Sequence, residues 1–324
     1  MDWTDRIGRR IRLRDLHIVL AVAEAGSMAR ASARLAISHP VVSKTISDLE
    51  HTLRVRLFDR KPQGVELTAY GHALLKCGTT VFDEMRQGLK QIEFLTDPDS
   101  GELRIGCPEI VMAGLLPAIL EKFVRQYPRI RLHVVHANTA LLEFRELRER
   151  TVELLIGRTP TPLLDDDLQL ETLFREPFVA VASPHSQWAR RRRIAPADLL
   201  DQSWVLPPYD SAPGRLIFEL FHACDLEPPV PSMTTLSIQL TTALVASGRF
   251  VGLLPLSVAN FSAGRKMLKK LPVSLPAMHV STNIITVKNR TMSPLAELFI
   301  ACAREVAKPL ANQAAASANS VAKR

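Results

Sequence analysis

Three short amphipathic segments near the start of this chain constrain its fold more than any other feature. The first repeats apolar residues at helical spacing, at Leu16, Val19, Leu20 and Ala23. Gly26 ends that helix, since glycine readily takes the left-handed conformation found at helix ends. Two more helices follow, and the second of them has a clean polar side. Two short helices joined by a tight turn are the plan of a helix-turn-helix.

The second helix is predicted to start after Ser27 and the third after Ser38, because serine is a favourable N-cap. Pro40 fits in the first turn of the third helix, where its missing N–H has no intrahelical partner. Apolar residues recur along the third helix at intervals of four, three and four, at Val42, Ile46, Leu49 and Leu53. Residues 59–67 are basic and contain Pro and Gly, which predicts a two-stranded wing.

A long amphipathic segment begins after Thr68. Its roughly 27 residues would form about 40 Å of helix. Apolar side chains recur along it at Tyr70, Leu74, Cys77, Val81, Met85, Leu89 and Ile92. A seam of this length predicts a dimerisation helix, and an ordinary core helix is the alternative. Residues 96–101 (TDPDSG) then break the chain, so we expect a domain boundary there.

Strands and helices alternate from Glu102 onwards. Residues 103–157 read as β-α-β-α-β, which implies a parallel sheet with right-handed crossovers. A second α/β unit is predicted from residue 168 to about residue 264, and it includes a strand at 178–182. A late strand at 280–288 and a helix at 294–307 follow. Residues 311–324 are rich in Ala, Asn and Ser and are predicted to be disordered.

Positive charge is concentrated at the start of the chain. The formal net charge is +8 over 324 residues, and residues 1–61 carry +5 of it, from 12 Lys and Arg against 7 Asp and Glu. This distribution favours a nucleic-acid-binding module. Hydrophobic residues make up 47% of the chain, which excludes a disordered protein. No stretch reaches the ~18 apolar residues of a transmembrane helix.

The cysteines and the catalytic motifs argue against several other classes. Cys77, Cys107, Cys224 and Cys302 lie far apart without zinc-ligand spacing, so we expect reduced thiols and a cytoplasmic protein. A redox-sensing thiol stays open as an alternative. No hydrolase, metalloprotease or P-loop motif is present, so we expect no enzyme activity, metal or cofactor. Arginines at 9–14 before an apolar run also resemble a secretion signal, which leaves an exported solute-binding protein as the alternative function.

About twenty spaced positions then agree with one known pattern. They fall in residues 13–16, 21–27, 31–35, 37–40, 42–44, 46, 49–50, 55–60, 67–68 and 71. With these residues, the segment 13–75 resembles the N-terminal domain of LysR-type transcriptional regulators. The remainder resembles the effector half of that family more loosely, through residues 115–117, 123, 127–128, 152–157 and 244–255. Together the resemblance covers about nine tenths of the chain.

The resemblance implies the fold class and the domain boundaries. We expect an α/β protein with a winged helix-turn-helix domain over residues 1–67 and a linker or dimerisation helix with a hinge over 68–100. A two-lobed effector domain, similar to periplasmic binding proteins, is expected over 101–308. Lobe I would comprise about 101–160 and 266–308, and lobe II about 161–265. Residues 309–324 would be a disordered tail.

The third helix is the expected DNA-reading element. Its polar residues His39, Ser43, Lys44 and Ser47 turn away from its apolar side, so they can face base edges in the major groove. Phosphate contacts are expected from the helix N-termini and from neighbouring polar residues. The full predicted DNA-binding set is Ser27, Arg30, Arg34, Ser38, His39, Pro40, Ser43, Lys44, Ser47, Lys61 and Gln63.

Two residues of this domain depart from the family pattern. His39 stands where the family usually has Gln, so base preference there differs or becomes pH-sensitive. Arg54 stands where the family usually has Gly, which removes the residue that best tolerates a left-handed helix end. We therefore expect a strained or re-formed turn at Arg54.

The resemblance places an effector in the cleft between the lobes. Glu109, Ile110 and Thr139 follow the first two strands and are candidate ligand contacts, together with Ser211 from lobe II. A helix N-terminus near Thr139 favours an anionic ligand, whereas Glu109 favours a polyol or a cation, and both classes stay open. The run of arginines at 190–193 is expected to be a solvated loop, with a second DNA site as the alternative.

The expected function follows from these parts. The chain is predicted to be a cytoplasmic regulator that binds an inverted-repeat operator and responds to a small molecule, as an activator or a repressor. Its expected partners are double-stranded DNA, a small-molecule inducer and a second copy of itself, as a dimer or tetramer. RNA polymerase is a further candidate partner, and no membrane is involved.

Overall fold

The computed structural model describes residues 10–137, 144–159, 165–260, 267–276 and 278–321, which belong to two compact units. The first unit ends at Leu89 and the second begins at Lys90. The first consists of helices and one hairpin. The second is an α/β assembly.

The first unit is a winged helix-turn-helix, as the sequence predicts. Its elements are α1 (Leu13–Ala25), α2 (Met28–Leu35), α3 (His39–Leu53), β1 (Phe58–Lys61), β2 (Gly64–Leu67) and the start of α4 (Ala69–Thr96). Strands β1 and β2 pair antiparallel. The buried core of this unit contains Ile18, Val19, Val22, Val42, Ile46, Leu49 and Leu57. Helical periodicity identified the buried side of α3, whereas on α1 it included the half-buried Leu20 and Ala23 and missed the buried Ile18 and Val22.

The turn between α1 and α2 is fixed against the wing by two glycines. Gly26 ends α1 with φ 60°, and its carbonyl accepts a hydrogen bond from the N–H of Val65 at 3.0 Å. Gly64 has φ 143°, and a Cβ there would lie 2.2 Å from the Gly26 carbonyl oxygen. Only glycine fits such an approach of two backbones.

The predicted cap residues lie at the helix starts, but only some of them make a capping hydrogen bond. Ser27 and Ser38 occupy the N-cap positions of α2 and α3, but neither side chain makes a capping hydrogen bond. Thr68 does cap α4, because its Oγ1 accepts the N–H of Gly71 at 3.0 Å. A Cβ at Gly71 would lie 2.1 Å from the carbonyl oxygen of Leu57, so α4 starts directly against the wing.

The second unit alternates strands and helices. In chain order its elements are β3 (Gly101–Cys107), α5 (Glu109–Met112), α6 (Leu116–Gln126), β4 (Ile130–His136), α7 (Arg145–Arg148), β5 (Leu154–Arg158), β6 (Leu168–Ala182), β7 (Trp204–Leu206), α8 (Ala212–His222), β8 (Met233–Thr234), α9 (Ile238–Ala246), β9 (Val251–Pro255), α10 (Leu256–Asn260), β10 (Lys269–Lys270), β11 (His279–Val287) and α11 (Pro294–Val321). Strand β3 pairs parallel to β4 and to β5, which confirms the predicted parallel β-α-β-α-β arrangement.

The long strand β6 takes part in both lobes. Strand β6 pairs with β11 over residues 168–177 and with β9 over residues 178–181. The strand order is β4-β3-β5-β11-β6-β9-β7-β8, with β10 also beside β6. The sequence predicted only residues 178–182 as strand, because polar residues such as Glu171, Arg175 and Glu176 interrupt the apolar pattern before Pro177. Residues 168–177 therefore extend lobe I rather than open lobe II.

The return to lobe I also occurs later in the chain than predicted. Leu268 and Leu271 are buried in lobe II clusters, and β10 pairs with the end of β6. The described residues from 267 to 278 thus pack in lobe II, although the predicted boundary lies at 266. Lobe I has its own core around Phe123, Phe299 and β3. The final helix continues to Val321, whereas the sequence predicts a disordered tail from 309.

The helix end at Arg54 takes the left-handed conformation without a glycine. Arg54 has φ 60° and ψ 29°, and its N–H donates to the carbonyl of Glu50. A side chain in this region costs on the order of 1 kcal/mol. The departure from the family pattern thus leaves the turn in place and strains it.

Arg54→Gly should therefore stabilise this unit by about 0.5–1 kcal/mol, because it relieves the left-handed strain. His51→Gly, on the exposed side of the last turn of α3, should instead destabilise it by about 1 kcal/mol. Hydrogen exchange of α3 amides in the full-length protein measures both effects. Equal destabilisation by the two glycines would contradict strain at Arg54.

Candidate DNA-binding and effector sites

The third helix carries an exposed polar side opposite its buried one. Val42, Ile46 and Leu49 are buried, whereas Lys44 and Ser47 are exposed. The other predicted base-reading residues lie on the same side, with Ser38, His39 and Pro40 exposed and Ser43 half-buried. Lys44 makes no ion pair with any described residue, so its ammonium is available to a ligand. A helix with this exposed side has the form required to enter a DNA major groove.

The basic residues predicted to contact phosphate differ in whether they already make an ion pair within the protein. Arg30 is exposed and makes no ion pair within the part of the chain that the structure describes. Arg34 pairs with Glu24 at 2.7 Å, and Lys61 of the wing pairs with Glu66 at 3.7 Å. Exposed pairs of this kind contribute little stability and can exchange for phosphate oxygens. Gln63 lies exposed at the wing tip, and Ser27 is half-buried.

Glu50 links the wing to α3, a role that the sequence analysis did not assign. Its Oε1 accepts the N–H of Leu57 at 2.7 Å and the N–H of Phe58 at 3.2 Å. Both donors belong to buried residues at the start of β1. The carboxylate therefore fixes the direction in which the wing leaves the end of α3. The family pattern includes Glu50 together with Leu49, and that was the only sequence signal for the role of Glu50.

The long helix α4 has an unpartnered apolar side. Along it the side chains of Met85, Leu89 and Ile92 are exposed, the last two by 59% and 62%. Tyr70 and Cys77 are exposed as well and Val81 is half-buried, while Leu74 packs against the winged-helix core. Leu95, which the sequence analysis did not include, extends the same apolar character and is 76% exposed. The predicted seam is thus mostly available to a partner, with Leu74 as the exception.

The effector candidates from lobe I meet lobe II. Glu109 begins α5, and its Oε1 accepts the Oγ–H of Ser237 at 3.1 Å and the N–H of Gln239 at 3.0 Å. Ile110 is half-buried and packs against the cores of both lobes. A Cβ at Gly114 would lie 3.0 Å from Ser257 Oγ, so the segment after α5 also lies close to lobe II.

The other two effector candidates are less informative. Ser211 is the N-cap of α8, where its Oγ accepts the N–H of Gly214 at 3.2 Å and donates to the carbonyl of Pro208 at 2.5 Å. Its hydroxyl proton is therefore committed to the protein. Thr139 lies outside the described residues.

A buried polar network lies where the strands cross between the lobes. Glu176 on β6 accepts hydrogen bonds from Arg158, from the Ser257 N–H at 2.5 Å and from the Ser257 Oγ–H at 2.8 Å. Asn283 on β11 bridges Thr159 and Thr172, each at 2.9 Å. Burial lowers the pKa of Arg158, and the facing carboxylate of Glu176 opposes that shift. Sequence reasoning missed this network, because its members are far apart in the chain.

The arginine run in lobe II is a solvated loop in this structure. Arg190, Arg191, Arg192 and Arg193 are exposed and make no ion pair with a described residue. Buried Ala189 and Ile194 anchor the run on either side.

Burial disfavours thiol chemistry at three of the four cysteines. All four are free, and burial raises the pKa of Cys107 to about 12 and raises the pKa values of Cys224 and Cys302. A raised pKa disfavours the reactive thiolate. Cys77 is exposed, on the predicted seam of α4. Among the described residues no metal-binding group of three or more His, Cys, Asp or Glu occurs, and no helix is long and apolar enough to cross a membrane.

Comparison with known proteins gives matches over both units. Residues 13–72 match the family described as "Bacterial regulatory helix-turn-helix protein, lysR family", and residues 96–308 match "LysR substrate binding domain". The chain is 27% identical to the HTH-type transcriptional regulator YdcI of Escherichia coli (strain K12), over 94% of this chain and 99% of the relative. It is 30% identical to the SDS degradation transcriptional activation protein of Pseudomonas sp. (strain ATCC 19151), over 88% of this chain and 93% of the relative. The crystal structure of CbnR, a LysR family transcriptional regulator, shares the fold with a TM-score of 0.59 at 22% identity, over 92% of this chain and 99% of CbnR.

Removal of the Glu50 carboxylate should loosen the wing. Glu50→Ala leaves two buried N–H groups without an acceptor, so we expect a loss of about 1.5–3 kcal/mol of local stability. Hydrogen exchange of the β1 and β2 amides in the full-length protein measures this loss. Glu66→Ala is the control, because Glu66 is exposed and its pair with Lys61 should contribute less than about 0.5 kcal/mol. Similar exchange in both variants would contradict the proposed link.

Proposed function

The chain belongs to the LysR family of DNA-binding transcriptional regulators with an effector-binding domain, and we propose that it selects its operator through the exposed side of α3 and responds to a ligand held between its two lobes. The observation that carries the first part is the separation of α3 into a buried apolar side and an exposed polar one. Family membership also favours a regulator over the exported solute-binding protein and over an enzyme, because the matched relatives are transcriptional regulators.

Base recognition is assigned to the polar residues of α3. The Lys44 ammonium donates to the O6 and N7 acceptors of guanine, the commonest specific contact in the major groove. Ser43, Ser47 and His39 lie on the same side and suit several base edges. Because one ring nitrogen of a neutral histidine accepts while both donate in the cation, His39 gives a contact that changes with pH.

Backbone phosphates are assigned to the basic residues around α3. Arg30 makes no ion pair with a described residue and contacts phosphate directly. Arg34 and Lys61 exchange their exposed partners, Glu24 and Glu66, for phosphate oxygens when DNA binds. Such contacts set the position of the protein on DNA and carry no sequence information.

Self-association is assigned to α4. Its exposed apolar residues from Met85 to Leu95 form a side that a monomer leaves in water, and a second copy of the helix buries it. A two-fold dimer presents two copies of α3, which fits an inverted-repeat operator.

Binding to operator DNA requires a cytoplasmic location. The reduced cysteines also favour that location.

Lys44→Ala tests base recognition. Loss of the guanine contact should weaken binding to a selected operator by at least about tenfold, and binding to shuffled DNA by about threefold or less. The operator is selected from a random DNA pool by the wild-type protein, and affinities are measured by fluorescence anisotropy. Arg30→Ala is the phosphate-contact control. It should weaken binding to both DNAs alike and reduce the slope of log affinity against log salt concentration by about 0.9. Equal losses for Lys44→Ala on both DNAs would contradict its role.

Leu89→Glu tests the dimer. A charge in the apolar seam should raise the dimer dissociation constant by at least about tenfold, because the carboxylate would have to be desolvated. Analytical ultracentrifugation of the full-length protein measures the constant. Gln91→Glu places the same charge at another exposed position of α4 and should leave association nearly unchanged. Equal effects of both variants would exclude α4 as the seam.

A further inference from the structure

The carboxylate of Glu109 lies at the start of a helix that belongs to the other lobe. Glu109 follows β3 of lobe I, and its Oε1 accepts the Gln239 N–H at 3.0 Å and the Ser237 Oγ–H at 3.1 Å. Ser237 is the N-cap of α9 in lobe II, where its own Oγ also accepts the Leu240 N–H at 3.3 Å. Glu109, Ser237 and the first turn of α9 thus share one hydrogen-bonded cluster.

The chemistry of a helix start explains why a carboxylate lies there. The first N–H groups of a helix have no intrahelical acceptor, and the helix dipole favours a negative group beside them. Such a position would suit the carboxylate of a small anionic ligand. In this chain Glu109 supplies that negative group itself and accepts the Gln239 N–H.

We propose that Glu109 determines effector specificity by filling this position, so that the effector is a neutral or cationic hydrogen-bond donor such as a polyol or an amine. This inference rests on the proposed role of the interlobe cleft. Glu109 Oε2 accepts no hydrogen bond from a described residue, and Glu109 is half-buried. Its second oxygen is therefore available to a donor group of the ligand, whereas an anionic ligand would meet a like charge.

Packing around Glu109 holds the carboxylate in this place. Ile110 and Ala113 pack against the lobe II cluster that contains Val245 and Leu254. A Cβ at Gly114 would lie 3.0 Å from Ser257 Oγ, so the segment after α5 approaches lobe II closely. The carboxylate is thus held at α9 by this packing together with its own two hydrogen bonds.

Acetate rescue tests whether the Glu109 carboxylate fills the position at the start of α9. Glu109→Ala removes the carboxylate and leaves a space at α9 that acetate, the end of the lost side chain, can refill. The thermal unfolding temperature of the full-length protein is measured in sodium acetate and in sodium chloride at equal ionic strength. Asp198→Ala is the matched control, because Asp198 also accepts a backbone N–H, that of Ala195, elsewhere in lobe II.

In chloride, Glu109→Ala should unfold about 3 °C below the wild type, since hydrogen bonds to a charged group are lost. Acetate at about 50 mM should restore at least half of that loss, as expected for a small ligand that binds in the millimolar range. The wild type and Asp198→Ala should each unfold at the same temperature in both salts. No recovery of Glu109→Ala in acetate, or an equal recovery of Asp198→Ala, would overturn the proposal.

Benzylamine and benzoate, which differ in the charged group, test the effector class. Benzylamine should raise the unfolding temperature of the wild type more than benzoate does. For Glu109→Ala, benzoate should give the larger increase. A wild-type response to benzoate equal to or larger than that to benzylamine would overturn the assigned class. Selection of operator DNA by the same preparations separates the two claims. If the wild type selects no operator, the proposed function is contradicted. If it does select one and acetate fails to rescue Glu109→Ala, only the role of Glu109 is contradicted.

Discussion

Glu50 joins α3 to the wing by accepting two N–H groups from the start of β1. The orientation of the wing relative to α3 depends on this contact, and the proposed phosphate contacts of the wing need a fixed distance from the proposed base-reading side of α3. The backbone contact between Gly26 and Gly64 completes the arrangement from the other side. A carboxylate and a pair of glycines thus position a surface whose own residues make few contacts with the protein.

The same chemistry recurs in the effector domain. Glu109 accepts a backbone N–H from α9, and Glu176 accepts one from the start of α10. Each carboxylate lies on one element and satisfies a donor on another, so each connects parts of the fold that are distant in sequence. Charge-assisted hydrogen bonds are stronger than neutral ones and specify geometry as well as energy. In this chain they define the wing and the contact between the lobes.

Sequence periodicity predicted the helices of the first unit but not the full strands of the lobes. Helices α1 to α4 and the wing follow from apolar spacing, Gly26 and Thr68, because their cores are built from local contacts. The first part of β6, residues 168–177, was not predicted as strand, since its polar residues pair with β11, more than a hundred residues away, and with Arg158, about twenty residues away. The roles of Glu50 and Glu109 likewise depend on partners that no local pattern identifies. Leu74 was placed in the dimer seam because periodicity does not distinguish an internal partner from an external one.

The proposed regulation depends on the exposed side of α3 reading a DNA sequence. The most direct test is the affinity of the wild-type protein for its selected operator and for a shuffled copy, measured by fluorescence anisotropy across a range of salt concentrations. We expect a preference for the selected operator of about 10³-fold or more, together with a steep fall of affinity as salt increases. Equal, weak binding to both DNAs would contradict this role and would leave a basic protein of unknown site.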